Sequence, residues 1–241
     1  KKSKSKLIKK KIKVYKKKVD NFHNFYQSYF LNKKKNLPLI DGKIALSKDY
    51  HTIDKKKKWI TNLLSRKRSH LLRSEYDAII STSKSINSDN SILNCRINGF
   101  DNNRPDLIII DRNMKIKKNL DIFKINNKKR KIYIVTSVKD KKKYDYFQKR
   151  GVKIIYKNSL IDKKDFLELF KSLKDINLGR ILVESGLIFL NRLLINKLIA
   201  NLYIFQTSNK LKKRGKNNTS NKIIKRFKLD NRIKLFKVIF I

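Results

Sequence analysis

A chain of 241 residues with 40% hydrophobic and 10% aromatic content can bury the core of one domain of about 200 residues, which excludes disorder of the whole chain. A single cysteine, Cys95, excludes a disulfide framework and a cysteine-based metal site, and no stretch reaches the roughly 18 uncharged apolar residues of a membrane span. We therefore expect a cytoplasmic protein without metal or membrane, although the formal net charge of +44 leaves a polyanionic partner open.

The composition changes near residue 36. Residues 1–36 are lysine-rich and contain one aromatic segment, Val19–Tyr26, which we expect to cover part of a neighbouring surface. Residues 37–241 carry the pattern of an ordinary globular domain. The sequence thus predicts a basic appendage followed by one domain.

The domain opens with a predicted strand at Lys43–Ser47. A helix is then predicted to begin near Thr61 or Asn62, either of which can cap it through its side chain. Spacing of the apolar residues predicts that four leucines form the inward face of this helix. They are Leu63, Leu64, Leu71 and Leu72.

Short, continuous apolar runs follow, which is typical of strands buried on both faces of a parallel sheet. The runs are 77–81, 107–110, 131–136 and 152–156. Helices are predicted between and after them, one over Asp140–Arg150 ending at Gly151, and one capped by Asp162.

The chain then continues with strand Ile181–Val183, helix Leu187–Leu198 and strand Leu202–Gln206. The weak alternation of Arg232 to Ile241 predicts an antiparallel strand at the C-terminal edge. Alternation of strands and helices predicts an α/β fold with a mostly parallel central sheet flanked by helices.

The sequence lacks the glycine-rich fingerprints of a Rossmann or P-loop site. What remains is the strand Ile181–Val183, which runs into Glu184-Ser185-Gly186 and then a helix. A small residue and a glycine at that turn allow a phosphate to approach the helix N-terminus, where free N–H groups favour an anion.

Four segments carry a more specific signal because they occur in a fixed order with compatible spacing. They are Pro38 with Lys43–Asp49, Trp59-Ile60-Thr61 with Arg73 beyond it, Ser85–Arg96, and Val183–Gly186. These segments are similar to P-x-x-x-x-K-x-A-x-S-L-D, W-I-T, T-V-x-x-D-[DN]-P-x-L-T-x-R and V-E-[GA]-G. From about Pro38 to Phe205 the chain therefore resembles the C-terminal reductase domain of the bifunctional riboflavin-biosynthesis deaminase–reductase, which has a dihydrofolate-reductase-like fold.

The resemblance implies an activity and a cofactor. NADPH would donate hydride to C1′ of the opened ribose in 5-amino-6-(5-phosphoribosylamino)uracil, a phosphorylated aminouracil ribotide, giving the ribitylamino product. The nicotinamide carries the hard chemistry, and the protein aligns the reactants and excludes water.

The resemblance also implies roles for individual residues. Lys43 and Glu184 would contact the reacting ribose and handle the proton that balances the hydride, and Asp89 would lie between cofactor and ribose. Arg96 would hold the 5′-phosphate and Arg73 would be a second substrate-side cation. The further substrate positions are Leu93 and Lys57, and the cofactor positions are Ala45, Trp59, Thr61, Ser85, Asp89, Gly186, Leu187 and Ile188.

The chain departs from the family pattern in several places. Tyr50 stands where the family usually has glycine, Lys57 replaces a small hydroxyl residue, and Arg112 replaces the usual Ser or Thr. No zinc-deaminase motif is present, so residues 1–36 are expected to be the remnant end of a deaminase domain. By resemblance alone we expect a homodimer.

Two alternatives stay open at this stage. A basic RNA-binding protein would explain the charge, but recognisable RNA-binding motifs are lacking, and the lysines recur along the whole chain as AT-rich codon usage would produce. We therefore expect no specific nucleic acid partner. A pteridine reductase of the same fold would make Arg73 and Arg96 dispensable, since no ribose phosphate would need holding.

Overall fold

The structure, a computed structural model, describes residues 2–15, 26–100, 105–124, 130–218 and 238–240. The strands are β1 (Leu39–Leu46), β2 (His51–Asp54), β3 (Ala78–Thr82), β4 (Asp106–Ile110), β5 (Ile132–Thr136), β6 (Lys153–Tyr156), β7 (Arg180–Val183), β8 (Asn201–Gln206), β9 (Gly215–Asn218) and β10 (Val238–Phe240). The α-helices are α1 (Lys2–Lys9), α2 (Gln27–Lys35), α3 (Leu63–Ser74), α4 (Ser83–Asp89), α5 (Asp121–Lys124), α6 (Lys141–Gln148), α7 (Lys163–Asp175) and α8 (Leu187–Ile195), and Lys212–Arg214 form a 3-10 turn.

Eight of the described strands form one sheet in the order β10-β8-β1-β7-β3-β4-β5-β6. Every neighbouring pair in this sheet is parallel, and β2 and β9 form a separate antiparallel pair. The predicted α/β fold with a mostly parallel central sheet is confirmed.

Helices cover both faces of the sheet. One face packs against α7 and α8 through a core that includes Phe166, Leu169 and Leu190. The opposite face packs against α3 near β7 and β3, and against α4, α5 and α6 near β4 and β5. Because both faces are covered, β3, β4, β5 and β7 are buried along nearly their whole length, as their sequence predicts.

The predicted burial of 152–156 on both faces is wrong. Lys153 and Tyr156 are exposed, and Ile154 and Ile155 are only partly buried. The reason is position, because β6 is the last strand of the sheet and has a neighbour on one side only.

The C-terminal edge also differs from the prediction. Much of Arg232 to Ile241 lies outside the described residues, but β10 pairs with β8 in a parallel direction, so the antiparallel expectation is wrong for that segment. A parallel strand needs a long connection from its neighbour, and residues 207–237 separate β8 from β10 in the sequence.

Helix α3 begins where the sequence predicts it but turns a different face inward. The Asn62 side chain accepts a hydrogen bond from the N–H of Ser65 at 2.9 Å, as a cap should. The buried residues are Ser65, Ser69 and Leu72, whereas three of the four leucines predicted to face inward are exposed. Those three are Leu63, Leu64 and Leu71.

Part of the predicted appendage packs on the domain. Asn201 of β8 donates to the side chain of Gln27 in α2 at 3.2 Å, and Asn36 after this helix donates to Asp175 at 3.4 Å. Apart from Tyr26, the aromatic segment Val19–Tyr26 lies outside the described residues. None of the described helices is long and apolar enough to span a membrane.

The turn between β1 and β2 contains Tyr50, one of the departures from the family pattern. Tyr50 has φ of 66°, in the left-handed region that glycine occupies without steric cost. The N–H of Tyr50 donates to the carbonyl of Ser47 at 2.9 Å, which closes the turn. Tyr50 therefore occupies a backbone conformation that glycine adopts more easily.

Gly42 in β1 is packed too closely against its neighbours to accept a larger side chain. A Cβ at this position would lie 3.0 Å from a methyl of Leu190 and 3.0 Å from a methyl of Leu202, so a larger side chain would be overpacked. We expect Gly42→Val to lower the free energy of unfolding by about 1–3 kcal/mol, measured by urea denaturation. Gly42→Ala should fall between wild type and the valine variant; an unchanged midpoint for both would contradict the packing.

Candidate active site

The site begins with two strands that place a lysine beside an acid. β1 and β7 run parallel with Gly42 opposite Val183, so the next residues, Lys43 and Glu184, lie side by side. The sheet holds this end of β7 further, since the N–H of Glu184 donates to the carbonyl of Ile80 at 2.9 Å. The Lys43 Nζ and Glu184 Oε2 atoms are 3.5 Å apart. The two residues that were predicted to act together are therefore in contact at the carboxyl end of β7, where α/β sheets bind ligands.

Arg73, at the end of α3, completes this cluster. Its Nε donates to Glu184 Oε1 at 2.6 Å and its Nη2 donates to Glu184 Oε2 at 3.0 Å, a two-point pairing of guanidinium and carboxylate. The side chains of Lys43, Arg73 and Glu184 are 17%, 12% and 7% exposed. In this arrangement Arg73 pairs with Glu184. Direct contact of Arg73 with substrate stays a prediction.

Burial and charge set the protonation states of this cluster. Burial alone would raise the pKa of Glu184, but the positive charges of Arg73 and Lys43 outweigh it and lower the pKa to about 2. For Lys43, burial and the nearby Arg73 lower the pKa, and Glu184 only partly offsets them. The site thus contains an ionised acceptor beside an ammonium group that releases its proton more readily than an ordinary lysine.

The segment between Ile92 and Arg96 lies against the same cluster. The Nη1 of Arg73 donates to the carbonyl of Asn94 at 3.0 Å. Arg130, which is buried, donates to the carbonyls of Ile92 and Leu93 at 2.6 and 2.8 Å. Arg130 was missed by sequence reasoning, because nothing in its basic neighbourhood distinguishes it from the lysines around it.

Arg96 differs from Arg73 in its surroundings. Arg96 is exposed, and its Nη2 lies 3.5 Å from the Nε2 of His70. An exposed guanidinium next to a buried ionic cluster is available to an anionic ligand. The predicted phosphate-binding position is therefore on the rim of the cluster.

The predicted anion-binding turn is held by α4. Gly186 caps α8, and its N–H donates to Ser85 Oγ at 2.9 Å. A Cβ on Gly186 would lie 3.3 Å from the same oxygen, a tight contact that glycine avoids. Two predicted cofactor positions, Leu187 and Ile188, form the first turn of α8, and Ile188 is 75% exposed.

A cavity of about 220 Å³ opens at the carboxyl ends of β3 and β4. Arg112, Lys115 and Arg192 contribute cationic groups to its lining. The buried Asp111 carboxylate accepts hydrogen bonds from Ser83 Oγ and from the N–H groups of Lys115 and Ile116, at 2.9, 2.9 and 2.7 Å. Asp111 therefore shapes the cavity wall, and the unusual Arg112 is one of the residues that line the cavity.

Other predicted site residues lie outside the ionic cluster of Lys43, Arg73 and Glu184. Trp59 is 53% exposed, with the Arg66 guanidinium 5.0 Å from its ring centroid, and Lys57 and Asp89 are exposed. Within the described part of the chain, no hydrogen bond or ion pair links these three to Glu184. Thr61 and Ala45 are partly buried, and Ala45 packs against the core cluster beneath α3.

Asp49 links the loop after β8 to the end of β1, a role that the sequence analysis did not predict. Its carboxylate accepts hydrogen bonds from the N–H groups of Leu211 and Lys212 at 2.9 and 2.7 Å, and from Ser47 Oγ at 2.7 Å. Burial opposes ionisation of Asp49, but these hydrogen bonds hold its pKa below the usual range. Asp49 thereby fastens the loop after β8 to the end of β1.

The fold and site define an α/β domain whose candidate site lies at the carboxyl ends of parallel strands. The family model described as RibD C-terminal domain matches residues 40–211. The chain therefore belongs to the family of RibD C-terminal domains.

Similarity to individual proteins is lower. The chain is 26% identical over 147 residues to the riboflavin biosynthesis protein RibD of Aquifex aeolicus, covering 61% of this chain and 37% of that protein. A deaminase/5-amino-6-(5-phosphoribosylamino)uracil reductase of Thermotoga maritima matches with a TM-score of 0.66 and 18% identity, over 83% of this chain and 53% of that one. The riboflavin biosynthesis reductase Rib7 of Saccharomyces cerevisiae matches with a TM-score of 0.60 and 22% identity, over 83% and 88%. The chain thus spans about half or less of the bifunctional relatives, and the structural matches support the fold.

The depressed pKa of Glu184 predicts how stability depends on pH. A carboxyl whose pKa falls from 4.5 to about 2 on folding stabilises the fold above pH 4.5 and loses that contribution as the pH falls toward 2. At neutral pH we expect Glu184→Gln to lower the free energy of unfolding by about 3 kcal/mol, because two buried cations lose their partner. The difference from wild type should narrow at about pH 3, as measured by urea denaturation.

A matched control is Glu168→Gln on the exposed side of α7, where the same exchange should change stability little at either pH. A wild-type advantage over Glu184→Gln that stays constant between neutral and acidic pH would contradict the depressed pKa.

Proposed function

We propose that this chain is an NADPH-dependent reductase of riboflavin biosynthesis that reduces the ribose of 5-amino-6-(5-phosphoribosylamino)uracil to the ribitylamino product. The observation that carries the proposal is the buried contact of Lys43, Glu184 and Arg73 beside the Gly186 turn. Membership of the RibD C-terminal domain family supports the reaction class. The Thermotoga relative is described as a reductase of this aminouracil, which supports the substrate.

The residues at the carboxyl edge fit a phosphorylated dinucleotide. The Gly186 turn leaves the N-terminus of α8 accessible, and the nearby cavity offers Arg112, Lys115 and Arg192 to phosphate groups. NADPH bound there would supply the hydride. The chain's own residues would hold the ribose, exclude water and deliver the accompanying proton.

The protonation states assign different tasks to the two central residues. Glu184 has a pKa of about 2 and is ionised at neutral pH, so it accepts hydrogen bonds from ribose hydroxyls and does not donate a proton. Lys43, whose pKa is lowered by burial and Arg73, is the acid that delivers the single proton accompanying the hydride. Arg73 keeps Glu184 charged and oriented.

The deciding experiment is NADPH oxidation by the purified chain with the deaminated aminouracil ribotide. We expect substrate-dependent loss of NADPH absorbance, and a decrease of about a hundredfold or more in turnover for Glu184→Gln. Circular dichroism should confirm that the variant is folded. Lys67→Ala, an exposed change on α3, is the matched control and should behave as wild type. No oxidation by wild type, or full turnover by Glu184→Gln, would reject the proposal.

Substitution of Arg96 distinguishes the phosphorylated ribotide from an unphosphorylated pteridine as the substrate. Because Arg96 would bind the 5′-phosphate in ground state and transition state alike, Arg96→Ala should raise KM by about tenfold or more and leave kcat nearly unchanged. Steady-state kinetics with the ribotide measure both constants. An unchanged KM would favour a substrate without phosphate.

Three further proposals rest on the resemblance. We propose that the chain pairs as a homodimer, that it works in the cytoplasm, and that the basic residues 1–36 are a remnant of a deaminase domain. We attribute the net charge of +44 to AT-rich codon usage and not to binding of a specific nucleic acid.

A further inference from the structure

We propose that His70 is a positioning residue, an uncharged imidazole that holds the Asn94–Arg96 segment so that the Arg96 guanidinium faces the phosphate of the substrate. The identity of that phosphate rests on the proposed function. The role of His70 itself rests on contacts between α3 and the segment after Leu93.

The ring of His70 lies between two arginines and one stretch of backbone. Its Nδ1 is 2.9 Å from the carbonyl oxygen of Asn94, 3.3 Å from the N–H nitrogen of Arg96 and 3.3 Å from Nη1 of Arg73. Its Nε2 is 3.5 Å from Nη2 of Arg96. Both edges of the ring are thus directed at the segment that carries Arg96.

A neutral ring makes the shortest of these contacts and the contact with the Arg96 guanidinium, while the N–H of Arg96 and the Nη1 of Arg73 lie beside Nδ1 without a hydrogen bond to it. With its hydrogen on Nδ1, His70 donates to the carbonyl of Asn94, the shortest of the contacts, and Nε2 accepts from the Arg96 guanidinium. Protonation would remove the acceptor and place a positive charge between two guanidinium groups. The contact between His70 and Arg96 would then be repulsive.

The charged groups around the ring favour this neutral state. Burial is the largest cause and lowers the pKa of His70, Arg73 on α3 and Arg96 on the following segment lower it further, and it falls to about 4. Glu184, beyond β7, acts in the opposite direction but is paired with Arg73. The ring is therefore uncharged throughout the neutral range.

The neutral ring of His70 lies between two cations, Arg73 and Arg96, that have different roles. Arg73 turns inward to Glu184, while Arg96 is held on the rim with its guanidinium exposed. A carboxylate at position 70 would pair with Arg96 and compete with the phosphate, and a third cation would push the segment away. An uncharged donor and acceptor avoids both outcomes.

The test is binding of ribose 5-phosphate, measured by calorimetry, together with kinetics on the aminouracil ribotide. His70→Ala should weaken ribose 5-phosphate binding by about tenfold and raise KM similarly, with kcat within about twofold. His70→Gln keeps a neutral donor and acceptor and should restore most of the affinity. The matched control, Lys67→Ala on the same helix, should bind as wild type.

A double variant distinguishes positioning from a general loss of structure. If His70 acts through Arg96, adding His70→Ala to Arg96→Ala should weaken ribose 5-phosphate binding no further. Additive losses, no rescue by glutamine, or wild-type affinity and KM in His70→Ala would each overturn the inference. If His70→Ala weakens ribose 5-phosphate binding but the wild-type chain does not oxidise NADPH, the proposed function alone would be rejected.

The ionisation of His70 gives an independent readout. Nuclear magnetic resonance of the imidazole, assigned by comparison with His70→Gln, should give a pKa near 4, and Arg96→Ala should raise it. An ordinary histidine pKa in wild type would contradict the neutral ring of His70, whatever the binding results.

Discussion

The structure depends on the burial of one carboxylate. Glu184 is 7% exposed and ionised, and a buried charge is tolerated only when partners replace the water that it has lost. Arg73 contacts both oxygens and Lys43 approaches one of them. These contacts join β1, β7 and α3, three elements that are far apart along the chain, and they fix where the helix crosses the sheet.

This ionic constraint explains why α3 does not bury its leucine-rich face. A helix advances by about 100° per residue, so directing Arg73 toward Glu184 determines the direction of every other side chain. Ser65, Ser69 and Leu72 then face the sheet, and their small or moderate size allows close packing. The hydrophobic gain from burying Leu63, Leu64 and Leu71 is forgone, because it would turn Arg73 away and leave Glu184 buried without its main partner.

The parts of the fold that were predictable from sequence are those with a local cause. The continuous apolar runs of β4 and β5, the caps at Asn62 and Asp162, and the turn at Gly186 each follow from short-range chemistry. The pairing of Lys43 with Glu184 was predictable only through resemblance, since their proximity comes from β1 and β7 being neighbours. The rotation of α3, the edge position of β6, the parallel direction of β10 and the role of Arg130 depend on tertiary packing, which no local pattern records.

Arg73 and Arg96 illustrate the limit of reading residue types alone. Both are arginines that the family resemblance places near substrate, yet one is buried against a carboxylate and the other is exposed. The difference comes from what lies beside each guanidinium: Glu184 draws Arg73 inward, and the imidazole of His70 contacts Arg96 without neutralising it. With one acid and a neutral ring among Lys43, Arg73 and Arg96, the group keeps an excess of positive charge, and that excess is located at the rim. In a chain where lysine is abundant everywhere, we expect specificity for an anion to come from the position of a few fixed charges and not from their number.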